Sequence, residues 1–431
     1  MTKRLVTKII NAHSIDWKVP ANVTSVKVTV QDDFNNLIAA GGSFSLGLKS
    51  NGQIWSCGIN DLGQLGDNTV VNKSSLVQTV GGHSFVQLAA NNNSGVALKS
   101  DGSAWGWGRN NVGQLGDNTV VNKSSPVAVV GGHAFVKVTS GGVTVGALKA
   151  DGSAWGWGYG VSGELGDGTS TSKSSPVQVT GGHSFIQIST GGNSTCALKS
   201  DGSVWSWGDN LQGQLGDGTS TPRSSPVQVL GGHSFISVSV GGGFVLALKS
   251  SGEVWSWGLN NFGQLGDGTI LNKQSPVKVI GGHSFVKINA QLNSAALKSN
   301  GEMFTWGNGA AGILGNGTTS SRSSPVQVIG GHKFVAIFQN RALKIDGTLW
   351  GWGDNTQGQL GINTTGVEFS PASAIGGHLF QVGSIFINST ILKVVPNTTY
   401  NFNFFLTAIG SQIFRNYNSR NNISIILEYY V

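Results

Sequence analysis

Residues 98–133 read LKSDGSAWGWGRNNVGQLGDNTVVNKSSPVAVVGGH, and the same phrase is written seven times between Leu37 and His378. Its Gly-Gly-His ending falls at His83, His133, His183, His233, His283, His332 and His378, a spacing of 50, 50, 50, 50, 49 and 46 residues. A unit this short cannot bury its own apolar face, so neighbouring units must share a core along a solenoid or around a closed ring. Seven units of about 50 residues favour the ring.

Within one unit the apolar pattern is period-2 or a short run between turn residues, and no 3.6-residue pattern of useful length occurs. The second unit predicts strands at Val86–Ala90, Gly95–Ser100, Ser103–Gly108 and Val127–Val130. Four short strands per unit describe a propeller blade. Ser100-Asp101-Gly102 joins the second strand to the third, and Asn51-Gly52, Asp151-Gly152, Asp201-Gly202, Ser251-Gly252, Asn300-Gly301 and Asp346-Gly347 are its counterparts. These are mostly the residues that a hairpin with positive φ requires, so they set each blade's register.

In Trp105-Gly106-Trp107-Gly108 the indoles lie at i and i+2, hence on one face, and the glycines leave the other face bare for close approach of the next sheet. Twelve of the 13 Trp occupy such slots, and core packing is the expectation for all of them. Leu-Lys-x-Asp-Gly, Trp-x-Trp-Gly, four free positions, Gly-Gln-Leu-Gly-Asp-Gly/Asn-Thr and a later Ser-Pro-Val strongly resemble the repeat of the regulator of chromosome condensation family. The resemblance covers about 340 of 431 residues and implies a seven-bladed β-propeller. The family's Gly-x-His segment before the second strand is absent here. Its GTPase exchange factors insert an extra hairpin wedge into one blade; no repeat here exceeds 50 residues, which argues against exchange activity.

Residues 1–33 and 385–431 lie outside the repeats and are strand-like, with SVKVTV at Ser25–Val30, YNFNFFL at Tyr400–Leu406 and ISIILEYYV at Ile423–Val431. Neither piece is long enough for a core, but a closed ring brings its chain ends together. The predicted fold is therefore all-β: a seven-bladed β-propeller, residues 34–384, inserted into a small split β-sandwich, residues 1–33 plus 385–431. Trp17-Lys-Val-Pro-Ala-Asn-Val-Thr and Val395-Pro-Asn-Thr-Thr-Tyr400 resemble segments of glycine-rich bacteriophage tail-fibre and bacterial surface proteins, without their glycine-rich tract.

Only 11% of residues are charged, and the net charge of +7 is spread over the repeats. Lys73, Lys123, Lys173, Arg223, Lys273 and Arg322 recur before the outer strand, with Asp67, Asp117, Asp167, Asp217 and Asp267 recurring just ahead of most of them. Paired charges imply a solvated surface and argue against nucleic acid as partner; an anion-binding ring of the pre-strand cations is the competing reading. Cys57 and Cys196 read as small buried hydrophobes. MTKRLVTKIINAHS has its apolar stretch broken by Thr7 and Lys8, so it is no secretory signal, and no run reaches a membrane span.

No unrepeated acid–base constellation, metal-ligand set or phosphate loop occurs, so the expectation is a non-enzyme without cofactor or metal. The Gly-Gly-His histidines are expected in turns. Because equivalent loops share one rim, the four free positions after the third strand form the candidate binding rim: Arg109, Tyr159, Asp209, Phe262, Asn308 and Asp354. The function that follows is a virion or surface structural protein, a tail-fibre or receptor-binding component. Its sandwich would bind other virion or surface-assembly proteins, and its propeller host-surface carbohydrate or protein; a homo-oligomer is compatible. Such a protein is located in the virion or outside the cell. The alternative is a cytoplasmic interaction propeller, an exchange factor or a chromatin-associated protein.

Overall fold

The computed structural model describes residues 38–374, apart from Gly42, Ser50 and Gln339, and the backbone of six strands outside them. Seven four-stranded antiparallel sheets follow one another along the chain, and each is a meander whose strands pair in sequence order. The blades span Ile38–Gln78, Gln87–Ala128, Phe135–Gln178, Gln187–Gln228, Ser237–Lys278, Lys287–Gln327 and Ala336–Ser373. Their first strands touch in one unbroken cycle, with Ala336–Phe338 meeting Ile38–Ala40. The ring is closed and seven-bladed, as the repeat spacing implies. All seven hairpin glycines have positive φ, between 81° and 86°, the left-handed region that costs glycine least.

Three strands of blade two lie within two residues of expectation, at Gln87–Ala90, Ser94–Leu98 and Ala104–Gly108. The fourth differs: it is Lys123–Ala128, not Val127–Val130. Lys123 pairs with Gly108 and Val127 with Gly106, and Ser124-Ser125-Pro126 bulge between them on the outer edge, where proline's missing N–H is not needed by a further neighbour.

The bare face of Trp-x-Trp is also filled differently. A Cβ on Gly106 would lie 3.1–3.3 Å from Leu115 of the same blade. So each blade's own Gly-Gln-Leu-Gly loop folds back onto this face, and the next blade packs on the loop. Trp107 then closes on that layer from the other side, donating from Nε1 to the Gln64 carbonyl of blade one at 3.0 Å. Trp157, Trp207 and Trp257 repeat the bond to Gln114, Glu164 and Gln214 at 2.9–3.2 Å. A Cβ on Gly66 would sit 2.9 Å from Trp107 Cδ1, so glycine is required at this contact.

Side chains also tie the inner strands together. Val138 N donates to Gln87 Oε1, Val240 N to Ser189 Oγ and Ala290 N to Ser239 Oγ, at 2.6, 3.1 and 2.8 Å. Each bond satisfies an amide on the unladdered edge of an inner strand from the preceding blade.

The chain forms two compact units, the ring unit, Asn35–Lys199 with Ser203–Val382, and a smaller one that contains Met1–Phe34 and Gly383–Val431. In the smaller unit Lys3–Ile10, Ile423–Tyr430, Ser25–Asp32 and Thr390–Lys393 form one sheet in that order, and Ser14–Lys18 pairs with Thr399–Asn403. Lys3 faces Tyr430 and Val28 faces Leu427 in the register. Packing of the two sheets into a sandwich rests on side chains outside the described residues, as do His13, His378 and the boundaries at 33 and 385.

Candidate functional site

Connections between the first and second strands and between the third and fourth emerge on one face; hairpins and blade-to-blade connections emerge on the other. The loop face contains the candidate rim. Its framework is a buried asparagine that sequence reasoning counted as a free position. Asn110 Nδ2 reaches Asp117 Oδ1, Thr119 Oγ1, Thr119 O and Val121 O at 3.0–3.2 Å. Its Oδ1 accepts from Leu115 N at 2.9 Å, and its own N–H donates to Asn122 Oδ1 at 2.8 Å. Asn60, Asn210, Asn260 and Asn355 hold corresponding bonds. The repetition of Asn in a loop, five times in seven, is the signal that reveals it.

The six rim residues fall one in each of blades two to seven, five directly after the Trp-Gly of the third strand and Phe262 three residues further along its loop, so they are spread around the ring. Two are committed to the framework. Asp209 accepts from Leu211 N and Gln214 Nε2 at 3.1 and 2.9 Å, and Asp354 from Thr356 N and Gln359 Nε2 at 3.0 Å each. Asn308 Oδ1 accepts from Ala310 N at 2.9 Å. Arg109 is half-buried, with Nε donating to Asn111 Oδ1 at 2.8 Å. Tyr159 is half-buried, and Phe262 is 45% exposed. Of the six, Arg109, Tyr159 and Phe262 present groups that the framework does not consume. The same loops carry aliphatic pairs that sequence reasoning passed over, Val70-Val71, Val120-Val121 and Ile270-Leu271, all exposed. Blades three and four have Ser170-Thr171 and Ser220-Thr221 there.

Blade three breaks the framework. Gly160 stands in the asparagine position, and Glu164 replaces the glutamine found at Gln64, Gln114, Gln214, Gln264 and Gln359. Glu164 is buried; Oε2 accepts from Ser162 N at 2.8 Å and Oε1 has no donor. Burial is the main reason its carboxyl titrates above the ordinary range, and Asp209 adds to the shift.

The pre-strand cations form no free anion-binding ring. Lys73, Lys123, Lys173, Arg223 and Lys273 each pair with the aspartate six residues earlier, at 3.2–4.0 Å.

On the hairpin face the first indole of each slot is only half-buried, which corrects the expectation of full core packing. Trp105 is covered by His83 at 4.2 Å between centroids and by Lys99 Nζ at 4.1 Å from its ring. His133, His183, His233 and His332 lie tilted against Trp155, Trp205, Trp255 and Trp350, and His283 against Phe304, at 4.2–4.5 Å. Burial, helped by the lysine, lowers the titration of all six histidines. Among the described residues no three His, Cys, Asp or Glu come together as a metal site.

Residues 11–340 match the family model of the RCC1-like domain, and residues 346–377 match the regulator of chromosome condensation (RCC1) repeat. The chain belongs to the RCC1-like domain family. No curated protein matches the sequence. The ring superposes on human WBSCR16 with a TM-score of 0.64 at 21% identity, covering 74% of this chain and 97% of that one. Yeast RCC1 (Prp20), in the structure with Kap60 bound, gives 0.66 at 18% identity over 84% and 85%. Saccharomyces cerevisiae Prp20p, studied with its binding to Gsp1p and histones, gives 0.65 at 18% over 86% and 90%. These likenesses share a fold with the chain. None of them is a tail-fibre protein, so the resemblance of the flanks has no support here. Like the repeats, the described blades contain no inserted hairpin.

Proposed function

We propose that this RCC1-like propeller is a non-catalytic interaction module whose loop face docks a protein partner, with Arg109, Tyr159 and Phe262 at the contact. One observation carries the reading: chemical variation is concentrated in positions held by a repeated frame. The recurrent acids and histidines are spent on loop bonds and ring contacts. A guanidinium, a phenol, an apolar ring and aliphatic pairs are left on a surface whose backbone is already ordered. Rigid display lowers the ordering cost of binding. The fold neighbours named with Kap60, Gsp1p and histones support a protein as the partner class. Exchange activity is not proposed, since the described blades lack an inserted hairpin.

A photo-reactive residue placed at Tyr159 or Phe262, and at Asp101 on the hairpin face as control, tests this in cells of the source. The expected result is a discrete protein adduct from the loop-face positions, lost in Arg109→Ala. Adducts from Asp101 alone, or none, would overturn it. An adduct identified as a virion or surface-assembly protein would select the second reading, a virion or surface component.

A further inference from the structure

Seven nearly identical blades pose an assembly problem. Any blade's leading face resembles any other's, so a ring could close with a blade missing or exchange blades with a second copy. No strand is shared between the first blade and the last, because each sheet uses one contiguous stretch of chain. Within the ring unit, closure therefore rests on the seam itself, and the seam between blades seven and one is unlike the other six.

At four of the other seams a residue of the second strand faces the next blade's buried indole. Val96 shares a core cluster with Trp157, Cys196 with Trp257, Leu246 with Trp306 and Ala295 with Trp352. In addition, a backbone amide of the preceding loop donates to the next outer strand: Asn68 to Ser124, Asn118 to Ser174, Gly168 to Ser224, Gly218 to Gln274, Gly268 to Ser323 and Gly317 to Phe369, at 2.8–3.2 Å. Among the described residues the seventh seam has no such backbone bond. There the side-chain sizes are exchanged. The indole slot holds Cys57, and the position equivalent to Val96 holds Arg341, both fully buried. Arg341 Nε donates to Ser45 Oγ at 3.0 Å, its Nη2 donates to Gln359 O at 3.4 Å, and its Nη1 donates to Asn340 Oδ1 at 2.5 Å. Ser45 Oγ donates to the same Gln359 carbonyl at 2.7 Å, and Cys57 Sγ approaches it at 3.7 Å.

We propose that Arg341, Ser45, Cys57 and the Gln359 carbonyl are a closure key: blade seven fits blade one and rejects every other blade. The physical argument has two halves. Against the indole of another blade, Arg341 would lose Ser45 Oγ and meet a large ring whose N–H donates and cannot accept, so the buried cation would be crowded and short of an acceptor, with the indole competing for the Gln359 carbonyl. Against blade one, the smaller residues at the other seams would leave a void where the guanidinium now sits, and buried voids are destabilising. The ring thus closes at seven, within one chain.

Full-length Cys57→Trp, Arg341→Ala and the double variant test the key. Cys57→Trp alone overfills the seam and should shift the chain to an open, less stable form. Arg341→Ala in the same chain makes room, so the double variant should recover at least about tenfold in the folding equilibrium relative to Cys57→Trp. With its seam made generic, the double variant should refold into more dimer and higher oligomer than wild type as protein concentration rises. No recovery in the double variant, or a Cys57→Trp single that matches wild type, overturns the shared slot. A double variant that recovers yet refolds as purely monomeric as wild type overturns the key.

Discussion

The third-to-fourth-strand loops of blades two and three occupy the same place in the ring with different chemistry. Blade two centres its loop on Asn110, which makes six hydrogen bonds to five residues, and on Gln114, whose Oε1 accepts from Val112 N and whose Nε2 reaches Asn111. Blade three has Gly160, bonded to Ser172 Oγ at 3.3 Å, and Glu164, half satisfied. Both loops still pack the following blade's tryptophan, through Gln114 O to Trp157 and Glu164 O to Trp207. The difference teaches that the backbone path is imposed by the ring. The asparagine secures that path and releases rim side chains from the task.

If so, Asn110→Gly, which converts blade two to the blade-three form, should be the most costly single change. Leu115 N–H, Asp117 and the Thr119 and Val121 carbonyls would lose a partner, at about 3 kcal/mol in denaturant unfolding. A loss under about 1 kcal/mol would show that the backbone alone holds the loop.

Glu164→Gln sharpens the comparison from the other side. The raised titration of Glu164 means that its protonated form suits the fold. Its contribution is complete below the ordinary carboxyl value of 4.5 and is lost as pH rises through the folded value. Glu164→Gln should therefore melt higher than wild type at pH 8, with the gap shrinking toward pH 4. A pH-independent difference breaks the reading.

The smallest effect lies on the hairpin face. Six histidines titrate below their ordinary 6.5, so they stabilise as neutral rings above that value and stability falls on acidification below it. His133→Phe should remove about one-sixth of that slope in the melting temperature between pH 7 and 5.5. An unchanged slope would locate the acid sensitivity elsewhere.

The first three strands of a blade, the hairpins with Gly102 and its counterparts, and the tryptophan slots were legible because each depends on residues within a few positions of one another. Asn110 was misread as free since loop variation at Arg109 and Val112 masked its recurrence. Trp105 was misread as core because alternation reports which face a side chain takes, not how much of it a neighbouring blade covers. Arg341 carried a visible signal, a lone arginine where other blades place Val96 or Leu246, but nothing local states what it meets.

By itself, then, the sequence determined the number of blades, the order of strands within each and the register of each hairpin, since these follow from a period and from turn chemistry. Only the tertiary structure decided that the loop of one blade lies under the indole of the next, and that Ser45 meets Gln359 across 314 positions of chain. Those contacts belong to the closed ring. Seven wedges sharing one axis bring residues from both ends of the chain within bonding distance, and no local pattern records which atoms will meet there.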